Sequence, residues 1–231
     1  MSVEQAKECF GKIINEIYLS EESISIFQNI GKNSSALNNQ KYQNLFGIVQ
    51  NQALSGVVLS LGKLFEKQSS KYPNFSIPTA LTYLRNDFDN ITINSASILK
   101  LIEYISEDED EQYKLISNHE EIKDIILKRF EEDCPRYPKR DDYPLDSAYV
   151  AIKVLRDKRI AHLENHDLQG LERTDWKGIN SLIAYCKTFI NIVNYGFFGF
   201  STRAIVHESE LNLEKKSSGI AISSIIKEVK L

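Results

Sequence analysis

Apolar residues recur at intervals of three and four along most of this 231-residue chain, and valine-rich alternating segments are nearly absent before residue 200. A period near 3.6 residues indicates amphipathic helices, whereas a period of two indicates strands. At this length a chain can bury roughly 70–75% of its unfolded surface and needs no disulfide or structural metal. We therefore predict an all-α fold, with residues 1–200 forming a single helical domain.

Helical period and local capping signals predict the individual elements. Val3 to Tyr18 and a second helix beginning at Ser20 should form an N-terminal helical hairpin, followed by a polar loop from Gly31 to Asn39. The longest and most central helix should span about Gln40 to Lys67, and its Gly47, Gly56 and Gly62 suggest that neighbouring helices approach closely.

The second half begins with helices over 78–88, 91–105 and 113–130, and a proline-containing loop over 131–144 then leads to a helix starting near Leu145. Thr174 is a plausible N-cap for a last long helix. Residues 201–231 form a tail of uncertain structure, in which 204–206 and 211–213 could be strands while 222–229 fits a helix.

The cysteines and the charges restrict the classes of function. Cys9, Cys134 and Cys186 are odd in number and lack zinc-ligand spacing, so we expect a reducing cytoplasm, no metal and no cofactor. No signal peptide is expected at the N-terminus, and the apolar stretch 182–200 contains polar residues that favour a buried helix over a membrane span. We expect the acidic run 107–111 to be a solvated turn rather than a metal site or a mimic of nucleic acid, and His119 to lie at the start of a surface helix rather than to bind a metal.

The segment 156–162 is the most informative for function. Arg156, Lys158 and Arg159 place three cations beside Asp157 and His162, in a chain whose net charge is −4. Such a cluster suits a phosphate group, and imidazole serves as an acid or a base near neutral pH. The cations, with Lys153, should lower the pKa of His162 and favour its neutral form. A helix-dipole role for the cations and a core role for the histidine remain the alternatives.

On a straight α-helix, Arg156 and His162 would lie about 120° apart around the axis. A single copy of the helix therefore cannot stack the two side chains, and a two-fold dimer would bring two copies of the cluster together. This geometry predicts a homodimer. Asp157 should then orient either His162 or an arginine.

Arg156-Asp157, four residues and His162 resemble the signature of the HEPN superfamily (higher eukaryotes and prokaryotes nucleotide-binding), and in particular its members associated with abortive infection. The resemblance covers about 40–199. It implies a dimeric helical bundle and a metal-independent ribonuclease of a toxin or of antiphage defence, with Arg156 and His162 catalytic and Asp157 supporting them. It also implies RNA as the substrate and an antitoxin or regulatory protein as a further partner. A non-catalytic dimerisation or binding module is the alternative.

Further RNA contacts are expected from cations near the cluster. Lys153, Lys158 and Arg159 belong to the same segment, while Arg136, Lys139 and Arg140 lie with Tyr137 and Tyr143 in the preceding loop. An ordinary exposed loop is the simpler interpretation of those loop residues. His166, just after the cluster, could reach the same cleft.

Overall fold

The protein is built from helices that pack around one main core. The structure, a computed structural model, describes residues 3–37, 42–67, 74–108, 110, 112, 115, 118–161, 175–198 and 217–229. No strand occurs within these ranges, which confirms the all-α prediction. The possible strands at 204–206 and 211–213 lie outside the described residues.

The α-helices, in chain order, are α1 Val3–Lys32, α2 Ser34–Leu37, α3 Gln43–Leu64, α4 Ile77–Asn86, α5 Ile98–Ile105, α6 His119–Asp133, α7 Pro144–Leu155, α8 Trp176–Phe189, α9 Tyr195–Phe198 and α10 Ser217–Val229. Short 3₁₀ turns at Phe88–Asn90 and Ser95–Ser97 precede α5. A π-helical turn, Arg156–Ala161, follows α7, and a second, Ile190–Asn194, follows α8.

The N-terminal helix is continuous, so the predicted break between Tyr18 and Ser20 is wrong. α1 runs for 30 residues and is longer than the 22-residue α3. Ser20 does not cap a new helix, because its hydroxyl donates to the carbonyl of Glu16 at 2.9 Å, one turn earlier in the same helix. The helical hairpin is formed instead by α1 and α3.

These two helices are antiparallel and in close contact. Lys63 pairs with Glu16 at 2.9 Å, and Gln50 donates to the carbonyl of Phe27 at 3.2 Å, so residue numbers rise along one helix as they fall along the other. A Cβ at Gly56 would stand 2.8 Å from the Ser23 hydroxyl, which confirms a close approach there. Gly47 has nothing within 4 Å of such a Cβ, so that part of the glycine prediction is wrong.

Local capping explains where the middle helices begin. Ser76 accepts a hydrogen bond from the backbone N–H of Thr79, and Pro78 lies in the first turn of α4, as predicted. α6 begins after Asn118, whose side chain accepts from the N–H of Glu121, and it extends to Asp133. The loop before α7 is therefore shorter than predicted. Asp175 caps α8 by accepting from the N–H of Gly178, whereas the predicted cap, Thr174, lies outside the described residues.

The main core is formed by the inner faces of α1, α3, α4, α5, α6, α7 and α8. Its largest buried side chains include Phe10, Phe65, Phe130 and Phe189, and the rings of Phe130 and Phe189 meet edge to face at 5.2 Å. Lys187 of α8 donates to Glu21 of α1 at 2.8 Å, and both side chains are 4% exposed. This buried ion pair fixes α8 against the N-terminal helix, because removing either partner would leave an unpaired charge in the interior.

The C-terminal helix packs on the N-terminal one. Ile226 of α10 joins a second, smaller apolar cluster with Ile30, Leu37 and Phe46. Ser218 donates from its backbone N–H to the carboxylate of Glu22 at 3.1 Å, and Ser223 donates to Asn29 at 2.7 Å. Residues 217–229 are therefore helical, as the pattern over 222–229 indicated.

One described helix, α3, is long and apolar enough to cross a membrane by length and composition alone. A core helix of a soluble protein meets the same criterion. α3 contacts α1, α7 and α8, and Val57, Leu61 and Leu64 on it are buried. The stretch 182–200 contains the buried residues Leu182, Ile183 and Cys186 of α8, as expected of a core helix.

Candidate functional site: the Arg156 turn and its cavity

The predicted signature begins where α7 ends and its backbone widens into the π-helical turn Arg156–Ala161. In such a turn each hydrogen bond spans five residues instead of four, and π turns occur frequently at functional sites. The predicted 120° separation of Arg156 and His162 assumed a straight α-helix and therefore does not apply. His162 itself lies outside the described residues.

The Arg156 side chain is half-buried and lies across α3. Its Nε donates to the carboxylate of Asp157 at 2.8 Å, and its Nη1 is 3.4 Å from the carboxylate of Glu66. A Cβ at Gly62 would stand 2.8 Å from the Arg156 Cδ, so this glycine provides the space that the arginine stem occupies. The Gly62 prediction of a close neighbour is thus confirmed, although the neighbour is the arginine of the signature.

The electrostatics of Arg156 favour a permanent positive charge. Burial lowers the pKa of this guanidinium, but its hydrogen bond to Asp157 and the negative charges of Asp157 and Glu66 outweigh that effect, so the pKa is raised overall. The guanidinium is therefore a fixed cation whose present partners are two carboxylates. A phosphate approaching Arg156 would have to compete with them.

Asp157 joins two cations of the signature. Its Oδ2 accepts from Lys153 at 2.6 Å while its Oδ1 accepts from Arg156. Burial raises the pKa of this carboxyl, but the hydrogen bonds from Lys153 and Arg156 outweigh that effect, so the pKa falls below its usual value. Of the two roles expected for Asp157, orientation of an arginine matches this geometry.

The other predicted cations of the segment are described only in part. Lys158 is half-exposed, on the same π-helical turn as Arg156. Arg159 belongs to the same turn, but its side chain, like all of His162 and His166, lies outside what the structure describes.

The buried carboxylate of Asp146 anchors the loop before α7, and Arg140, which binds it, therefore has a structural role. Asp146 is fully buried and accepts from the Nε and Nη2 of Arg140 at 2.7 and 2.8 Å. Arg140 also donates to the carbonyls of Glu132 and Cys134, and its guanidinium lies 3.8 Å from the centre of the Tyr143 ring. These donors serve protein groups in the structure, and the predicted contact of Arg140 with RNA is untested and stays a prediction.

Arg136 and Lys139 project from the same loop and are exposed. The backbone N–H of Arg136 donates to Asp146 at 2.9 Å, and its guanidinium donates to the carbonyl of Glu131 at 2.8 Å. Asp146 therefore fixes the path of the loop, while the cationic ends of these two side chains stay near solvent. Their predicted contact with RNA remains a prediction.

A cavity of about 750 Å³ opens beside Arg156. It lies between the residues that follow α3, one face of α4, the end of α6 with the loop after it, and α7. Its lining includes apolar or aromatic groups from Phe65, Leu81, Pro135 and Tyr149, and cations from Arg85, Arg136, Lys153 and Arg156. No local sequence pattern predicted this cavity. The only local signal was the mixture of proline, tyrosine and arginine after Cys134.

The cavity offers no activated thiol. Cys134 is in its wall, and burial raises the pKa of that thiol to about 12, so the sulfur stays protonated at neutral pH. Burial likewise raises the pKa of Cys9 to about 12. Thiolate chemistry requires the opposite shift, so neither cysteine is suited to act as a nucleophile.

Within the described ranges, no three histidine, cysteine, aspartate or glutamate side chains are grouped so that they could hold a metal ion. His119 is exposed in the first turn of α6, as expected of a helix start. His166 and His207 fall outside those ranges, so the prediction that no metal or cofactor is used is untested.

The helical bundle, with the arginine signature at the end of an amphipathic helix, defines a HEPN-type protein. A family model described as AbiU2 matches residues 15–215, which is most of the chain, and the protein therefore belongs to this abortive-infection-associated HEPN family. The match is wider than the expected 40–199, since it includes most of α1 and part of the C-terminal segment. No curated protein and no solved structure matches the chain.

Proposed function

We propose that this protein is a metal-independent endoribonuclease in which Arg156 holds the scissile phosphate and His162 transfers protons. The observation that carries the proposal is the position of Arg156. Its guanidinium is held by Asp157 and Glu66 at the edge of a large cavity, on a π-helical turn that leads directly to His162.

The reaction we propose uses the RNA's own nucleophile. His162 removes the proton of a ribose 2′-hydroxyl, the 2′-oxygen bonds to the adjacent phosphorus, and the bond to the 5′-oxygen breaks. The leaving 5′-oxygen takes a proton, which gives a 2′,3′-cyclic phosphate and a 5′-hydroxyl. Arg156 stabilises the charge on the phosphoryl oxygens, and each positioned acid or base contributes about 10²–10⁴-fold.

The remaining cations would hold the RNA backbone. Lys153 lies one helical turn before Asp157 and adjoins the cavity, and Lys158 is on the π-helical turn. Arg159 follows Lys158 in the sequence, and Arg136 and Lys139 are exposed on the neighbouring loop. Backbone contacts of this kind bind any sequence and weaken with salt.

The active form we propose is a homodimer, in which the second copy supplies the second proton-transfer group. One face of α3 supports this. Leu45, Ile48 and Leu59 recur at heptad-compatible spacing and are 54%, 59% and 37% exposed. Gly62 of the same helix contacts Arg156, and Glu66 lies just after the helix. A parallel pairing along this face would therefore bring the two signatures near each other.

The cellular role we propose is that of a cytoplasmic toxin or antiphage ribonuclease, restrained by an antitoxin or regulatory protein. Membership of an abortive-infection family supports this role. Because the proposed substrate is RNA, we place the ribonuclease activity in the cytoplasm. Nothing in the proposed mechanism involves a membrane.

The decisive experiment compares RNA cleavage by the wild type with that of His162→Ala and Arg156→Ala, in EDTA and after removal of any co-purifying partner. His119→Ala and Arg129→Ala are matched controls, since both residues are exposed on α6 and neither lines the cavity. We expect loss of at least about 10²-fold for the signature variants and little change for the controls. If the wild type cleaves none of several RNAs, the ribonuclease proposal is refuted.

The second candidate is a non-catalytic module that binds RNA or protein. One observation favours it: the Arg156 guanidinium is paired with two carboxylates, as a structural arginine would be. In that case Arg156→Ala would lower the free energy of unfolding. The wild type would not cleave RNA, whether or not it binds RNA.

A further inference from the structure

We infer that the cavity beside Arg156 binds the base of the RNA nucleotide next to the scissile phosphate. This inference rests on the proposed function and extends it, because it assigns the cavity a role in choosing where the RNA is cut. The cavity is bounded by the residues that follow α3, by α4, by the end of α6 with the loop after it, and by α7, segments that no local sequence pattern connects.

Its size and lining suit a flat heteroaromatic group. About 750 Å³ is within the range of small-molecule sites, which are mostly apolar with a few polar groups. Phe65 and Leu81, both buried, and the ring of Tyr149 supply apolar surface. The Tyr149 hydroxyl is already used, since it donates to the carbonyl of Phe65 at 3.2 Å.

The cations stand where the sugar-phosphate backbone would enter. Arg156 and Lys153 line the cavity on the side of the signature, and Arg136 lines it from the loop. Arg85 is different, because its guanidinium forms a bidentate pair with Glu131 at 2.8 and 2.9 Å and contacts Asp124 at 2.6 Å. It braces α4 against α6. Arg156 and Lys153 are paired as well, with Asp157 and Glu66, so a phosphate at this end of the cavity competes with those carboxylates.

An exposed ring at the mouth provides a stacking surface. Tyr137 lines the cavity, is 48% exposed and has the Lys153 ammonium 5.3 Å from its ring centre. Bases that leave a helical stack are held in proteins by such rings, with a cation nearby to hold the phosphate.

Two polar groups could read the edge of a base. Asn86 and Thr82 are exposed on α4, and both line the cavity. The Thr82 hydroxyl donates to the carbonyl of Pro78 at 2.9 Å but keeps its acceptor lone pairs. An amide and a hydroxyl at this place can accept and donate to a Watson–Crick edge. A base in the cavity must be unpaired, so the substrate is single-stranded.

The test fills the cavity without disturbing the core. Thr82→Trp places an indole in the space from an exposed position. Ser224→Trp is a matched control, because Ser224 is exposed on α10 and its hydroxyl makes the same one-turn hydrogen bond, to Ile220 at 3.1 Å. Tyr137→Ala and Tyr137→Phe form a second pair, in which only the first removes the ring.

Binding is measured with single-stranded RNA that carries 2-aminopurine at successive positions, on an otherwise inactive His162→Ala background. The fluorescence of 2-aminopurine rises when the base leaves the stack of its neighbours and falls when a protein ring stacks on it. The labelled position whose base enters the cavity should therefore differ in fluorescence from all the others. We expect Thr82→Trp and Tyr137→Ala to abolish that difference and weaken binding by about 5- to 150-fold. Ser224→Trp and Tyr137→Phe should retain it.

The readouts separate this inference from the enzyme proposal. If the wild type cleaves RNA and Thr82→Trp cleaves the same sites equally fast, with an unchanged 2-aminopurine signal, the base site is refuted and the ribonuclease stands. If the wild type never cleaves but Thr82→Trp still removes a position-specific signal, the base site stands and the ribonuclease fails.

Discussion

Arg156 rests against the bare backbone of Gly62, with its Cδ only 2.8 Å from where a methyl group would be. The contact links the signature directly to the central helix α3. The side chain that should meet the phosphate is therefore positioned by a residue almost a hundred positions earlier in the chain.

Gly62→Ala should displace Arg156 and lower RNA cleavage by about tenfold or more, because a shift of about 1 Å in a positioning group can cost far more than that. Gly47→Ala is the matched control in the same helix, since nothing lies within 4 Å of its added methyl group. The control should raise the free energy of unfolding by about 0.5–1 kcal/mol in urea titrations. Equal activity and equal stabilisation in both variants would contradict the contact.

Glu66→Gln should tighten binding of single-stranded RNA by about two- to tenfold at low salt, because the carboxylate that competes for Arg156 is neutralised. Glu66 is 47% exposed, so stability should change by less than about 1 kcal/mol. Fluorescence anisotropy measures the affinity. Glu103→Gln on the exposed side of α5 makes the same change in net charge and should leave affinity unchanged. An equal effect of both variants would point to net charge alone.

Asp146→Asn should destabilise the fold by about 1.5–3 kcal/mol, because it weakens the charge-assisted hydrogen bonds from Arg140, whose side chain is partly exposed. Asp141→Asn, an exposed change in the same loop, should cost little. Urea unfolding measures both. An effect below about 1 kcal/mol for Asp146→Asn would show that the pair does not fix the loop.

The same carboxylate should make stability depend on pH. Burial raises the pKa of Asp146, yet the hydrogen bonds from Arg140 and from the backbone N–H groups of Arg140 and Arg136 lower it overall. A lowered folded-state pKa gives stability that is complete above the unfolded value near 4 and is lost as pH falls through the folded value. The wild type should lose this contribution to the free energy of unfolding below about pH 4. In Asp146→Asn the free energy of unfolding should depend less on pH in that range.

Ile48→Lys should convert the proposed homodimer into a monomer at micromolar concentration, because a charge would be buried between two α3 helices. Light scattering measures the mass, and circular dichroism should show an unchanged helix content. Gln43→Lys adds the same charge at an exposed position on the opposite side of α3, about 140° from Ile48 around the helix, and should leave the dimer intact. A wild type that is strictly monomeric would overturn the composite site.

Sequence reasoning succeeded where a local pattern determines structure. The 3.6-residue period gave the all-α class, Pro78 gave the start of α4, and the string from Arg156 to His162 led to the right superfamily. It failed at Ser20, because a serine that could cap a helix can equally bond back to the preceding turn and leave the helix uninterrupted.

The site was predicted less completely than the fold, for physical reasons. The π-helical turn over 156–161 escapes any analysis that assumes a uniform helical period. The role of Arg140 depends on where the fold places the buried Asp146, and the cavity draws on residues as distant as Phe65 and Arg156. Such features depend on tertiary packing, which a sequence pattern does not contain.

The packing of α10 on α1 also constrains how the protein is made. A Cβ at Gly219 would collide with the side chains of Ser25 and Asn29, and the Ser218–Glu22 hydrogen bond spans 196 residues. At about 5–20 residues per second, a ribosome needs roughly 10–40 s to travel that distance. During this interval the flank of α1 that α10 covers in the folded protein has not yet met its partner, so this contact forms only after most of the chain has been synthesised.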